Sequence, residues 1–247
     1  MAFDGNSAKF ENLEDGVYSL EETAAPDGYV TVTTFTFTVE NGQVVPGSVS
    51  VVTTGDVEAT ADRIIVKDAQ STVEFDKSTL GGEPLAEGNI AKFRLYAEDG
   101  QSFDNVKVDG KDAVAETSAD DSKKEFVAFD GNNAVFNGLK DGKYSLEETA
   151  APDGYTTVTT FTFEVKDGHV VKDSVKVETD GDVAVEGDKI TVKDAKSVVV
   201  IDKKALGAEE IPEAAGKAEF VLTAKDTNLE GVVINDVETA LTAEDKK

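Results

Sequence analysis

The sequence predicts an all-β chain of antiparallel, Ig-like sandwich repeats, and three observations carry that prediction. Thr, Val, Phe and Ile alternate with polar residues in short runs, the period of two that marks half-buried strands. Asp-Gly, Asn-Gly or Pro-Asp-Gly interrupts the runs at Asp15, Pro26, Asn41, Asp141, Pro152 and Asp167, where tight turns need residues tolerant of positive φ. The twelve letters YSLEETAAPDGY stand at Tyr18–Tyr29 and again at Tyr144–Tyr155, an offset of 126, so one unit is repeated.

The elements follow in the same order in both copies. After YSLEET comes TTFTFTV from Thr33, matched by TTFTFEV from Thr159; IIVKDA from Ile64 is matched by ITVKDA from Ile190. The run ending Phe75-Asp76-Lys77 is matched by Ile201-Asp202-Lys203. Two periods (2 × 126 = 252) slightly exceed the 247 residues present. No helical period is sustained; the best stretch, Ile211 to Glu219, is short and carries Pro212.

Composition excludes several functions. Lys+Arg number 24 and Asp+Glu 50, and 24 − 50 gives a net charge of −26. That charge opposes nucleic acid, whose affinity rests on neutralised phosphates, and anionic membrane surfaces. No apolar run is long enough to span a bilayer. With no Cys and only His169, disulfides, thiolate metal sites and a His-based zinc site are excluded, and no cofactor or metal is expected. The acidic turns Asp180-Gly-Asp182 and Asp4-Gly-Asn6 lack calcium-loop spacing and read as solvated turns. Neither a secretory signal nor a membrane anchor is recognisable, so the chain is expected to be either cytoplasmic or a segment of something longer, and the repeat favours the second.

Alternation also fixes which side chains point inward. Val73, Phe75 and Lys77 share one face of their strand, as do Val199, Ile201 and Lys203. Tyr18, Leu20 and Glu22 share a face, as do Tyr144, Leu146 and Glu148; Ile64, Val66 and Asp68 align, as do Ile190, Val192 and Asp194. Each period therefore sets one Lys, one Glu and one Asp where the pattern demands an apolar residue. Such groups either surface at strand ends or meet one another, because an unpaired buried charge costs several kcal/mol. A buried ion pair satisfies this; so does chemistry, since a desolvated amine beside a desolvated acid is a nucleophile beside an electrophile. Glu147, next to Glu148, faces the other side and is expected to be solvated.

The run G-x-Y-S-L-E-E-T-A-A-P-D-G-Y, with Phe10, Leu13 and Gly16 ahead of it, resembles the E-box of Cna B-type domains (SpaA-like and SpyCatcher-like) of Gram-positive surface proteins and pilins. The resemblance covers nearly the whole chain. It implies an intramolecular isopeptide bond between a Lys on the first strand and an Asn or Asp on the last, with the E-box Glu as proton shuttle, and first and last strands side by side and parallel. Carried over, the nucleophile is Lys77, the electrophile Asp194 and the shuttle Glu148, with water as the leaving molecule. Turnover catalysis by Glu21–Glu22 or Glu147–Glu148 is disfavoured, since strand neighbours face opposite sides.

The family's order leaves one complete set, in residues 71–196. Residues 1–70 then carry the later part of a second domain, with Glu22 and Asp68, and residues 197–247 the earlier part of one, with Lys203. Asp68 and Lys77 are nine positions apart, as are Asp194 and Lys203, about 30 Å at full extension. The two part-domains are therefore expected at opposite ends of the central one. The expectation is intermolecular completion, sealed by Lys203–Asp68 with Glu22 assisting: a head-to-tail homopolymer on the Gram-positive cell surface. The competing expectations are a reciprocally swapped dimer and a monomeric adhesin stalk with an unidentified host ligand.

Overall fold

The computed structural model describes residues 2–30, 34–52, 56–79, 84–85, 87–119, 124–156, 160–178, 182–204, 210–225, 229, 232–235 and 237–238. Asp180 of the acidic turn and the polar chain end at 239–247 lie outside the described residues. The chain divides into two compact units, Met1–Ser197 and Val198–Lys247.

In the first 70 residues, β1 (Gly16–Leu20) pairs antiparallel with β2 (Phe35–Glu40), and β2 also pairs with β3 (Gln43–Val44) and β4 (Ser50–Val51). A separate hairpin joins β5 (Asp56–Ala59) to β6 (Ile64–Lys67). Phe35, Phe37 and Val39 form a small core with Tyr18, Leu20, Ile64 and Val66 packed against it. Among the described residues β1 stands at the edge of its sheet, and the β5–β6 hairpin has no further neighbour.

The second copy is a full sandwich. One sheet runs β10 (Lys111–Asp112), β9 (Lys107–Val108), β13 (Asn133–Asn137), β7 (Thr72–Thr79), β19 (Lys189–Asp194), β18 (Asp182–Glu186). The other runs β11 (Ala115–Thr117), β12 (Glu125–Asp130), β8 (Lys92–Ala97), β14 (Gly142–Ala150), β15 (Phe161–Lys166), β16 (His169–Val170), with β17 (Lys176–Val177) also on β15. The pairing of β19 with β7 is parallel, Lys77 standing opposite Val192 and Thr79 opposite Asp194. The inward faces read as the alternation requires: Val73, Phe75, Phe93, Leu95, Tyr144, Leu146, Phe161, Phe163, Ile190 and Val192 are all buried. At about 25 cal/mol per Å² of apolar surface removed from water, this core is the main force closing the two sheets.

The turns explain the register. Asn41-Gly42 has φ of 52° and 73°, and Asp167-Gly168 has 52° and 77°; two positive φ values give the turn whose twist matches its flanking strands. Tyr18 and Tyr144 each donate a hydroxyl bond four residues back, to the carbonyls of Glu14 (2.7 Å) and Lys140 (2.8 Å).

In the second unit the described strands are β20 (Val233–Ile234) and β21 (Val237–Glu238), paired antiparallel. The apolar stretch around Ile211 yields only a 3-10 turn, Glu213–Ala215, following Pro212. Val198, Val199, Val200 and Ile201 are exposed and lie in no strand, and so do Phe220, Val221 and Leu222. Their counterparts Val73, Phe75, Phe93 and Leu95 are buried in the central sandwich.

Candidate isopeptide site

Lys77 lies near the C-terminal end of β7, an eight-residue strand, on the face that carries Val73 and Phe75. Parallel pairing sets Lys77 opposite Val192, so Asp194, two residues on and on the same face, is its diagonal neighbour. The side chain of Lys77 is long enough to cover that diagonal, and the ammonium pairs with Asp194 Oδ1. Glu148 comes from the opposite sheet. It follows Tyr144 and Leu146 on the inward face of β14, where a bulge between Glu148 and Ala150 interrupts the ladder with β8. Bulges re-aim side chains, and here Glu148 Oε2 accepts a 2.9 Å hydrogen bond from Lys77 Nζ.

The three side chains are almost wholly buried, at 1% exposure for Lys77, 1% for Glu148 and 0% for Asp194. Phe93 lies beside the ammonium, its ring centroid 5.9 Å from Nζ. The gap next to Lys77 is lined by Phe75, Phe93, Phe129, Leu146 and Val192 on one side and by Asp76, Asn132 and Asn133 on the other, and it is too narrow for a water molecule. Neither oxygen of Asp194 accepts a well-aligned hydrogen bond. Burial pushes the Asp194 carboxyl above its ordinary value, against the opposing pull of Lys77 and Glu148. An acid in this setting is biased toward its protonated form, the form that loses its hydroxyl as water.

The other sequence-predicted residues are placed differently. Glu22 is half-buried and lies beyond the end of β1, outside any strand. Asp68 is half-buried just after β6; its Oδ1 is buried and accepts no hydrogen bond, and burial raises its pKa. Lys203 is exposed, in the second unit. Glu147 is half-buried rather than fully solvated, because β8 lies beside it and the Tyr96 hydroxyl donates a 2.9 Å bond to its Oε2. Sequence reasoning missed Phe93 and the wall it belongs to. The signal was there: Ala91, Phe93, Leu95 and Ala97 alternate inward, and AKFRLYA at 91–97 is echoed by AEFVLTA at 218–224.

None of the curated proteins matches this chain. Among solved structures it is similar to the pilus adhesin RrgA of Streptococcus pneumoniae (20% identity, 55% of this chain and 16% of that one, TM-score 0.36). It is also similar to the shaft pilin SpaA of Lactobacillus rhamnosus GG (20% identity, 75% of this chain and 64% of that one, TM-score 0.33). A third is a minor pilin of Streptococcus agalactiae (17% identity, 79% and 66%, TM-score 0.30). The chain spans about a sixth of the adhesin RrgA and about a quarter of the pilus adhesin SpaC. The family described as SpaA, prealbumin-like fold domain, matches residues 3–52 and 71–180, more than half of the sequence. With its all-β sandwich and its two copies of the E-box run, the chain belongs to the SpaA prealbumin-like fold domain family.

Proposed function

We propose that the chain is a structural module of a pilus-type or other surface stalk, whose domains are locked by single-turnover, autocatalytic Lys–Asp isopeptide bonds. The observation that carries this reading is the buried contact of Lys77 with Asp194 and Glu148. The Lys77 ammonium first passes a proton to the Asp194 carboxylate it pairs with, and the resulting amine lone pair attacks Cγ of the protonated acid. Glu148 takes a proton from the nitrogen and returns it to the departing Asp194 oxygen, which leaves as water. One N–C bond forms, one C–O bond breaks, and Glu148 ends as it began. Fixed contact supplies an effective molarity of about 10⁵ M or more, and no turnover is required.

The same chemistry serves assembly. Residues 1–70 are read as the later part of a domain, 71–196 as a complete one, and 197–247 as the earlier part of another. The first part offers two open edges, at β1 and β6; the last carries the exposed apolar runs at 198–201 and 220–222. Laid out as in the central sandwich, where Phe75 pairs with Ile190 and Leu95 with Leu146, Ile201 pairs beside Ile64 and Leu222 beside Leu20. Strand addition of this kind gains main-chain hydrogen bonds and covers apolar faces together. Asp68, raised by burial and accepting no hydrogen bond at Oδ1, becomes the electrophile for Lys203 of a second copy, with Glu22 assisting, and head-to-tail repetition gives a filament.

A denaturing gel with intact mass on each band tests both parts. The expected result is a ladder that survives boiling, lost in Lys203→Ala and in Asp68→Ala, with the monomer one water lighter than its sequence. A monomer at full mass sinks the bond at Lys77. A monomer lacking one water with no ladder retains that bond and removes the polymer; a dimer-only band replaces the filament with a swapped pair.

A further inference from the structure

The central domain carries two faces of an inter-domain joint, and only the proximal one has its mate within the described chain. At the mated joint, the loop Pro26–Val30 and the segment Ala69–Ser71 close onto residues 138–140 and the Asp167-Gly168 turn. The Ser71 backbone N–H donates to Gly28 O (2.9 Å), Gly138 N–H to Ser71 O (2.9 Å), and the Ser71 hydroxyl to Leu139 O (2.7 Å). A Cβ on Gly28 would stand 2.7 Å from Gly138 O, and one on Gly168 would stand 2.8 Å from Tyr29 O. Backbone meets backbone here, and only glycine permits it.

Both halves of this joint recur. The distal face of the central domain repeats the bonds of the first copy. Tyr155 N–H donates to Pro152 O, Thr156 N–H to Ala195 O and Ser197 N–H to Gly154 O, as Tyr29, Val30 and Ser71 donate to Pro26, Ala69 and Gly28. Tyr155 bridges to Lys196 as Tyr29 bridges to Gln70. Yet Ser197 is exposed where Ser71 is 0% exposed, and a Cβ on Gly154 would meet nothing within 4 Å. The mating half recurs in residues 1–70. Asn12 holds φ 61° at the position of Gly138 (83°), and Asn41-Gly42 repeats the positive pair of Asp167-Gly168. Gly42 N–H is held by Asp15 Oδ1 (3.2 Å) as Gly168 N–H is held by Asp141 Oδ1 (3.1 Å).

We infer that the distal face of the central domain, Pro152–Thr156 with Ala195–Ser197, is a docking surface for the Asn12–Glu14 and Asn41-Gly42 face of a second copy of this chain. The inference rests on the head-to-tail reading above and adds the contact that aligns successive domains. Charge supports the pairing. Lys140, on the proximal face of the mated joint, is replaced by Glu14, while Gln70, whose Nε2 approaches Gly138, is replaced by Lys196. Gln70 and Lys140 line one gap at the mated joint, and at the unmated one a Lys and a Glu of opposite charge stand in their places, so Lys196 of one copy faces Glu14 of the next.

The test mixes heavy-nitrogen-labelled full-length chains carrying Lys203→Ala with unlabelled full-length chains carrying Asp68→Ala, neither of which can seal before mixing, and treats them with a water-soluble carbodiimide, which joins an amine to a carboxylate in contact. Mass spectrometry of the digest then reads which molecules are linked. A Lys196–Glu14 link of mixed isotope is expected; it disappears in Lys196→Glu and returns, with amine and acid exchanged, when Glu14→Lys is added. A spontaneous Lys203–Asp68 link of mixed isotope without the Lys196–Glu14 link overturns the docking surface and leaves the proposed function standing. The reverse result keeps the surface and removes the seal. Absence of both overturns both, and a Lys196–Glu14 link within one isotope alone overturns docking between copies.

Discussion

Lys77 and Glu148 belong to opposite sheets of the sandwich and meet at 2.9 Å in its interior. That distance supports the proposed roles: the amine has a carboxylate within proton-transfer reach and a second carboxyl in contact on its own sheet. Lys77→Met and Asp194→Ala are each expected to leave the central domain unbonded. With Lys203→Ala added to remove the other bond, intact mass should stay at the sequence value. Glu148→Gln retains both reacting groups and should slow bond formation by about 10²-fold or more, the usual weight of a positioned acid–base group, as followed by mass against time after refolding.

The pH dependence of the unbonded domain has a definite sign. Burial raises the Asp194 carboxyl, and Lys77 is among the groups that pull it back. In Lys77→Met that pull is gone. A raised acid contributes stability below its unfolded value and loses it as pH rises through the folded value. Thermal unfolding of Lys77→Met should therefore occur at a higher temperature near about pH 4 than near about pH 7, and adding Asp194→Asn should flatten the difference.

Phe93 forms part of the wall at Lys77 as well as part of the core. Phe93→Ala should cost about 3–5 kcal/mol in the Lys77→Met background, as large-to-small core changes do, measured by denaturant unfolding. In the reactive chain it should also slow bond formation, because water then reaches the ammonium.

The exposed apolar run before Lys203 gives an independent test of assembly. Val199→Asp with Ile201→Asp puts two charges on the face that is buried in the central copy at Phe75 and Val73. The ladder should vanish on a denaturing gel while the monomer still loses the one water of the Lys77–Asp194 bond.

Gly28 combines φ 83° with a Cβ position 2.7 Å from Gly138 O. Gly28→Ala should loosen the link between residues 1–70 and the central domain, with about 1 kcal/mol from the backbone conformation alone and more from the contact. Proteolytic cleavage between Asp68 and Thr72 should rise, and the mass loss at Lys77 should not change.

The dodecapeptide YSLEETAAPDGY marks how far sequence reading reaches. Both copies pair with their next strand in one register, Gly16–Leu20 with Val39–Phe35 and Gly142–Leu146 with Val165–Phe161. Alternation was enough to find those faces and the three charged residues on them. Yet β1 stops at Leu20 after five residues and β14 runs on to Ala150, nine residues in all. The letters are identical; the neighbour is not. Past Leu146 the strand is held by β8, where Glu147 stands opposite Arg94 and Glu148 opposite Phe93. Strand length, the bulge after Glu148, the half-burial of Glu147 and the wall at Phe93 all depend on that pairing, which a local pattern does not encode. Nor does it encode the joint, where Gly28 and Gly138, 110 residues apart in sequence, meet through backbone alone.

The parallel pairing of β7 with β19 decides how the domain answers a pull. Tension arriving at Thr72 runs along β7 in the direction of the chain, and tension leaving at Asp194 runs the same way along β19. The ladder between them is loaded lengthwise in shear, so its hydrogen bonds resist together rather than opening one at a time. With the proposed Lys77–Asp194 bond in place, force would pass from β7 to β19 through one amide. Residues 78–193 (193 − 77 = 116 residues) then hang outside the line of force, and the domain extends no further than the short stretch from Thr72 to the bond.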